Sequence, residues 1–258
     1  TGKRPGSKDY AAMGTHVDDG AAVGTGAGLD TLHDTLQKKF KVTKNVNPST
    51  ICGVQIDRDR ERGKLLSHQT PYSEGILDKY QMTDCKGAET PMDPGTAKAL
   101  MLLPTDSAAD PKVLKAFQTF VGELIWLYKT RPDLQFTICL LSRFLQCATQ
   151  KHLDLALNRP LRYLRKYTYR GLLFRAGDGE WVLSGKADAD LAGDVTTARS
   201  TFGHCLRLGE VGSIVTHCKL DRRICTATGQ SETYAMQSLV KDVMWVRDSS
   251  MNWDSSPS

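Results

Sequence analysis

Apolar positions in the first third of the chain recur at two spacings. Leu29, Leu32, Leu36 and Phe40 follow the period of one helix face, which predicts an amphipathic helix over 28–40. Cys52, Val54 and Ile56 alternate with polar neighbours as strand residues do, and Gly63 permits a turn into a second strand through Leu65. A short helix through Ile76, Leu77 and Tyr80 is expected next. Between 83 and 110 the pattern fails: Pro91, Pro94, Gly95 and Pro104 act against regular structure, and the stretch reads as a linker.

Periodicity returns at Asp110-Pro111, an N-cap followed by a proline at the first helical position. Val113, Phe117, Phe120, Val121, Leu124, Ile125 and Tyr128 then form a wide apolar stripe, and this is the clearest helix in the chain. A second helical stretch spans about 134–145. A third runs from His152 toward Tyr167 with Leu153, Leu157, Leu161 and Leu164 on one face. Pro160 lies inside it, where a missing donor and a clash with the preceding turn cost ~3 kcal/mol or more, so a break or kink is expected.

From Gly171 the texture changes to short strand-like runs: Leu172–Phe174, Trp181–Ala187, Phe202–Leu208, Val211–His217 and Arg223–Thr228. Turn signals such as Gly177-Asp178-Gly179 and Gly209-Glu210 separate them, and a last helix is expected over Gln230–Arg247. Helices followed by strands and a closing helix indicate an α+β or α/β protein. There is no internal repeat.

Composition narrows this picture only a little. The 258 residues suffice for one large domain or two modest ones, and 40% hydrophobic with 24% charged residues excludes a disordered or fibrous chain. Thirty-four Lys and Arg against 29 Asp and Glu leave +5, which permits a nucleic-acid partner without requiring one. The seven cysteines are odd in number and scattered, with no Cys-x-x-Cys pair, and are expected to be reduced in an intracellular protein. No stretch reaches the ~18 to 20 uncharged apolar residues of a membrane span, so no membrane partner is expected. A start at Thr1, a first Met at Met13 and a polar run over 254–258 make the chain read as a piece of something longer.

Three groups of residues carry candidate chemistry. His16-Val17-Asp18-Asp19 sets two adjacent carboxylates before glycines. Strand neighbours face opposite sides, so only a tight hairpin turn would let both acids approach one metal pair; taken alone, Asp-Asp before Gly is ordinarily a surface turn. Asp188 and Asp190 share one face of an expected strand, and Glu232 falls in the first turn of the last helix, which could bring it beside them. Clustered carboxylates repel and need divalent cations, for which Mg²⁺ fits; solvated surface acids are the plainer reading. Arg159, Arg162, Arg165, Lys166 and Arg170, interleaved with Tyr163, Tyr167 and Tyr169, could follow a phosphate backbone or simply form a solvated helix face.

Several stretches, in order and at similar spacing, resemble the polyprotein of copia-type LTR retrotransposons. His16-Val17-Asp18-Asp19 is similar to the Tyr-Val-Asp-Asp signature of the reverse transcriptase palm. Gly53-Val54-Gln55-Ile56, Ser67-His68-Gln69 and Thr90-Pro91-Met92 continue the likeness. The most specific part is Phe120-Val121-Gly122-Glu123-Leu124-Ile125-Trp126-Leu127 with Thr130-Arg131-Pro132-Asp133, Leu141-Ser142-Arg143-Phe144, His152 and Leu161-Arg162-Tyr163-Leu164. Asp188-Ala189-Asp190-Leu191-Ala192-Gly193-Asp194 with Arg199-Ser200-Thr201, and Glu232-Thr233-Tyr234-Ala235, resemble the start of the family's RNase H domain.

The resemblance implies a helical thumb and connection region followed by a truncated RNase H-like mixed sheet with a packed helix. It divides the chain into the end of the palm and a thumb-like segment (1–82), a linker (83–110), helical connection (111–170) and partial RNase H-like domain (171–258). It makes Asp18 and Asp19 two of the three metal-binding aspartates of the palm, and Asp188 and Glu232 the first two acids of the RNase H site, each serving a pair of Mg²⁺ ions. The implied partners are an RNA·DNA hybrid and the remainder of the polyprotein, in a cytoplasmic virus-like particle or the nucleus. The remaining acids of both sites lie outside this chain in the family, so it is expected to show little or no catalysis in isolation. Departures from the pattern include His16 for Tyr, Gly20-Ala21-Ala22 for bulky apolar residues, Pro160, Leu191 for Trp, Leu220 for Gln and Gln230 for an acid. A non-catalytic nucleic-acid-binding module and a decayed relic are the alternative readings.

Overall fold

The computed structural model describes residues 9–16, 19–106, 109–176 and 182–254. Strands β1 (Ala11–His16) and β2 (Asp19–Gly24) pair antiparallel with His16 opposite Asp19. Helix α1 (Gly26–Gln37) follows, its first turn capped by Thr25, whose hydroxyl accepts the Gly28 N–H at 3.2 Å. It ends before Phe40, which is exposed, so the predicted apolar face is shorter than the pattern implied. Strands β3 (Thr50–Ile51) and β4 (Val54–Asp59) form a small antiparallel pair. Residues up to Ile56, together with those from Met244 on, group as one unit; Asp57–Val243 form the other.

The larger unit holds β5 (Lys64–His68), α2 (Thr70–Lys79), α3 (Pro94–Met101), α4 (Pro111–Leu127), a 3-10 turn at Pro132–Leu134, α5 (Gln135–Ser142) and α6 (Gln150–Lys166). Strands β6 (Gly171–Arg175), β7 (Leu183–Asp190), β8 (Thr201–Leu208) and β9 (Gly212–Leu220) follow, and then α7 (Thr228–Asp254), which belongs to this unit as far as Val243. Its helices supply one continuous apolar core. Asp110 caps α4 by accepting the Lys112 N–H at 2.8 Å, and Phe117, Phe120, Val121, Leu124 and Leu127 are all buried. Helix α6 packs against α2, α3 and α4.

Two local expectations are corrected here. The stretch 83–110 contains α3, because Pro94 occupies its first turn, where no donor is lost, and the Asp93 carboxylate accepts the Thr96 N–H at 3.0 Å. Ala88, Met92, Ala97 and Leu100 of the same stretch are buried in the core. Pro160 does not end α6, which runs unbroken from Gln150 to Lys166. The proline costs ~3 kcal/mol, whereas each fully buried Leu contributes ~1.5 to 3 kcal/mol. With Leu153 and Ala156 before it and Leu161, Tyr163 and Leu164 after it all buried, packing outweighs the defect.

The strands depart from expectation in three ways. β6 pairs with β5, with Leu66 opposite Leu173, a long-range partnership that no local pattern announces. β7, β8 and β9 form a three-stranded sheet that is antiparallel throughout, not mixed, since the connections between these strands are loops with no crossover helix, such as the turn at Gly209. Residues 223–228 form no strand. The Asp221 carboxylate accepts the Arg223 backbone N–H at 3.0 Å, and the Arg223 guanidinium lies 3.4 Å over the Tyr234 ring, which bends this segment into α7. The described fold is α+β, with the sheet covered on one face by α7 and on the other by α5.

Candidate functional site

Alternation fixes which side chains each face of the β7–β8–β9 sheet displays. Phe202, His204 and Leu206 of β8 are buried, and they stand opposite Ala189, Ala187 and Gly185 of β7. This is the face under α7: a Cβ on Gly185 would meet Leu239 at 2.6 Å, and His204 Nε2 contacts the Asp242 carboxylate at 2.6 Å. Glycine at 185 therefore lets the helix approach closely.

Asp188 and Asp190 occupy the alternate positions of β7, opposite Gly203 and Thr201. Both are exposed and leave the strand on the side away from α7. Glu232 is exposed in the first turns of α7, beside the buried stripe Ser231, Ala235 and Leu239. Asp188 and the helix carrying Glu232 thus occupy opposite faces of the sheet. Asp19 opens β2 and is exposed, whereas Asp18 lies outside the described residues. Among the described residues no group of three or more His, Cys, Asp or Glu side chains is gathered as a metal ion requires.

The basic run of α6 has partners within the chain. Arg159 donates to the Thr90 carbonyl at 3.1 Å and hydroxyl at 3.0 Å and lies 3.6 Å from Asp93; Arg162 donates to the Lys86 carbonyl at 2.8 Å. Arg165 donates to the Thr83 carbonyl and Lys166 pairs with Glu89. Ala88 N–H in turn donates to the Arg162 carbonyl at 3.1 Å. Four of the five basic residues therefore tie 83–93 down along α6. Arg170, the fifth, donates to the Tyr163 hydroxyl at 2.8 Å and stacks 3.6 Å over Tyr167.

Beside this clamp lies a buried charged network. Arg131 is 1% exposed; it donates to both Asp133 oxygens, from Nε at 3.0 Å and from an outer guanidinium nitrogen at 2.8 Å, and to the Tyr167 carbonyl at 3.0 Å. The Tyr163 hydroxyl donates to Asp133 at 2.5 Å. Burial alone would raise the Asp133 carboxyl, but the hydrogen bonds and charge of Arg131, together with Tyr163, hold it below the usual range. The neighbouring Thr130 donates to the buried Gln69 side chain at 3.0 Å, which donates to the Trp126 carbonyl at 3.2 Å. His152 completes the cap of α6, its Nδ1 accepting the Thr149 N–H at 3.1 Å, and burial lowers its pKa so that it stays neutral for that role.

A third cluster joins the helices to the sheet. The Tyr128 hydroxyl and the Gln135 amide donate to the Thr216 carbonyl at 2.8 and 3.2 Å. Arg143 pairs with Asp194 at 2.8 Å, and the Asp194 side chain is 0% exposed. Burial would push its carboxyl up, yet hydrogen bonds from Thr197 and Thr196 and the Arg143 charge bring it to about 2. None of these roles was read from the sequence: Arg131, Arg143 and Asp194 stood out only within longer motifs, because isolated charges at helix ends and in loops ordinarily face solvent.

Transposon polyproteins are among the relatives of this chain. It is 30% identical over 249 residues to the retrovirus-related Pol polyprotein from transposon TNT 1-94 of Nicotiana tabacum, covering 95% of this chain and 18% of that protein. The retrovirus-related Pol polyprotein from transposon RE1 of Arabidopsis thaliana is 29% identical over 242 residues, 93% of this chain and 16% of its own length. An uncharacterized mitochondrial protein of Arabidopsis thaliana, AtMg00810, is 30% identical over 232 residues, 89% of this chain and 92% of its own length. The chain thus spans less than a fifth of either polyprotein. No protein-family model and no solved structure matches it.

Proposed function

The chain belongs to the polyproteins of copia-type retrotransposons, and from that membership we propose that it is the stretch in which a reverse transcriptase passes into an RNase H domain. In this reading α2 to α6 are the thumb and connection, and β7, β8, β9 and α7 open the RNase H fold. The observation that carries it is the succession of an edge strand bearing Asp188 and Asp190, two further antiparallel strands and a helix bearing Glu232 on the same sheet. RNA-directed DNA polymerisation and hydrolysis of an RNA·DNA hybrid are then activities of the longer polyprotein.

For Mg²⁺ the residues of this chain do not fit a shared site, since Asp188 leaves β7 on the side away from α7 and no third ligand is gathered among the described residues. What the chain contributes is a scaffold: Arg143 and Asp194 hold the start of the RNase H-like segment against α5, and Arg131 and Asp133 hold the turn between α4 and α5. Four of the five basic residues read for nucleic acid are turned onto 83–93 and the fifth, Arg170, onto Tyr163 and Tyr167, which favours a scaffold over a binding module.

The full chain, incubated with Mg²⁺ and an end-labelled RNA annealed to DNA, is expected to leave the RNA intact. Cleavage that disappears in Asp188→Asn would place a working site on this chain and overturn the scaffold reading.

A further inference from the structure

Cys139 and Cys218 take no part in the scaffold just described, yet the packing of α5 on β9 brings them together. Gln135 on α5 meets Thr216 on β9 at 3.2 Å, and Arg143 on α5 meets Asp194 at 2.8 Å. Cys139 sits one helical turn from each of Gln135 and Arg143, on the same face of α5. Cys218 sits two residues past Thr216, on the same face of β9. One helical step and one strand step therefore place the two cysteines opposite each other where α5 packs on β9.

Their surroundings are not equivalent. Cys139 lines a cavity of about 300 Å³ shared with Lys98, Phe136, Arg143, Asp190 and Thr201, and Cys218 does not. The Cys218 thiol, then the Leu220 backbone N–H and the Arg143 charge, ease loss of the proton from Cys139, while the neighbouring Cys139 and burial make Cys218 hold its own proton more tightly. A cavity-lining thiolate backed by a second thiol has the arrangement of a reactive and a resolving cysteine.

We propose that Cys139 is a peroxide-reactive thiol and that Cys218 resolves its oxidised form, linking α5 to β9 through a disulfide. The Cys139 thiolate attacks one oxygen of hydrogen peroxide; the O–O bond breaks, hydroxide leaves, and the sulfur becomes a sulfenic acid, oxidised by two electrons. The Cys218 sulfur then attacks the Cys139 sulfur, its proton leaves with the displaced hydroxide as water, and the S–S bond forms. Two thiols and one peroxide give one disulfide and two waters.

Reduced full chain treated with one equivalent of hydrogen peroxide is expected to lose two hydrogen atoms in mass and to yield, on digestion, a single pair of joined peptides containing Cys139 and Cys218. In Cys218→Ser, dimedone should trap the sulfenic acid on Cys139. In untreated wild type, iodoacetamide should alkylate Cys139 about tenfold faster than Cys218, a comparison that needs no variant. Linkage or trapping at another cysteine, such as the exposed Cys52, would overturn the proposal, as would equal alkylation of Cys139 and Cys218.

Discussion

Arg131→Ala is expected to destabilise the 57–243 unit by about 3 kcal/mol, the lower end of what breaking a buried ion pair costs. The lower end applies because Asp133 keeps 27% of its side-chain surface in water while Arg131 keeps 1%. Removing the guanidinium strands the Asp133 carboxylate, takes the donor from the Tyr167 carbonyl and leaves a void among Tyr163 and its neighbours. For a unit of this size the melting temperature should fall by roughly 6 to 12 °C. Arg131→Lys keeps the charge but not the two-pronged geometry and should fall between alanine and wild type. Replacing both partners, as Arg131→Met with Asp133→Leu, should recover most of the loss, because no charge is left buried without a partner. Guanidinium unfolding midpoints check this series, and a loss below about 1 kcal/mol in Arg131→Ala would show that the network does not hold the turn.

The second large effect belongs to Asp194 and depends on pH. Its carboxyl falls from the ordinary 3.8 to about 2 in the folded chain. A depressed folded pKa stabilises the fold wherever the carboxylate is charged in both states, above about pH 4, and the contribution is lost as pH falls toward 2. Nearly two pKa units correspond to about 2 kcal/mol. Asp194→Asn should therefore be less stable than wild type at pH 6 by about that amount, and the gap should close as pH is lowered from about 5 toward 2. Unfolding free energies measured across that range in both proteins test it. Asp133 titrates in both backgrounds, so the difference between them isolates Asp194. Parallel curves would contradict the assignment.

The fold was legible where local chemistry and long-range packing agree. Asp110-Pro111 and the stripe from Phe117 to Leu124 mark α4 because the cap, the proline and the burial all favour the same helix. Proline misled where tertiary contacts decide: Pro94 starts a helix, and Pro160 is carried through one by the buried residues on either side. Arg223 to Thr228 has strand composition, but the local bonds of Asp221 and the stacking on Tyr234 decide its path.

The charged residues were harder to read than the apolar ones. Arg159, Arg162, Arg165 and Lys166 have the spacing of a basic stripe, and nothing in their own helix shows that residues 83–93 would lie along it. Asp188 and Asp190 were correctly seen to share a face. Which face α7 would cover depended on the register with β8 and on the bare Gly185, and a strand pattern does not state either. Thr130-Arg131-Pro132-Asp133 was visible as a motif, but its work, a buried pair under Tyr163, becomes apparent only once α4, α5 and α6 are folded together.

The central claim is that α4 to α6 and the β7–β9 sheet stand or fall together, because Tyr128, Gln135 and Arg143 bind the sheet and its first loop directly. Native-state hydrogen exchange resolves it. Amides in the middle of α4 and α6 and those of β8 should open with one common free energy, and Arg143→Ala should lower both sets. Strand amides that exchange several kcal/mol more easily than those of α4 and α6, with the helices unmoved by Arg143→Ala, would show two independent parts and contradict the scaffold.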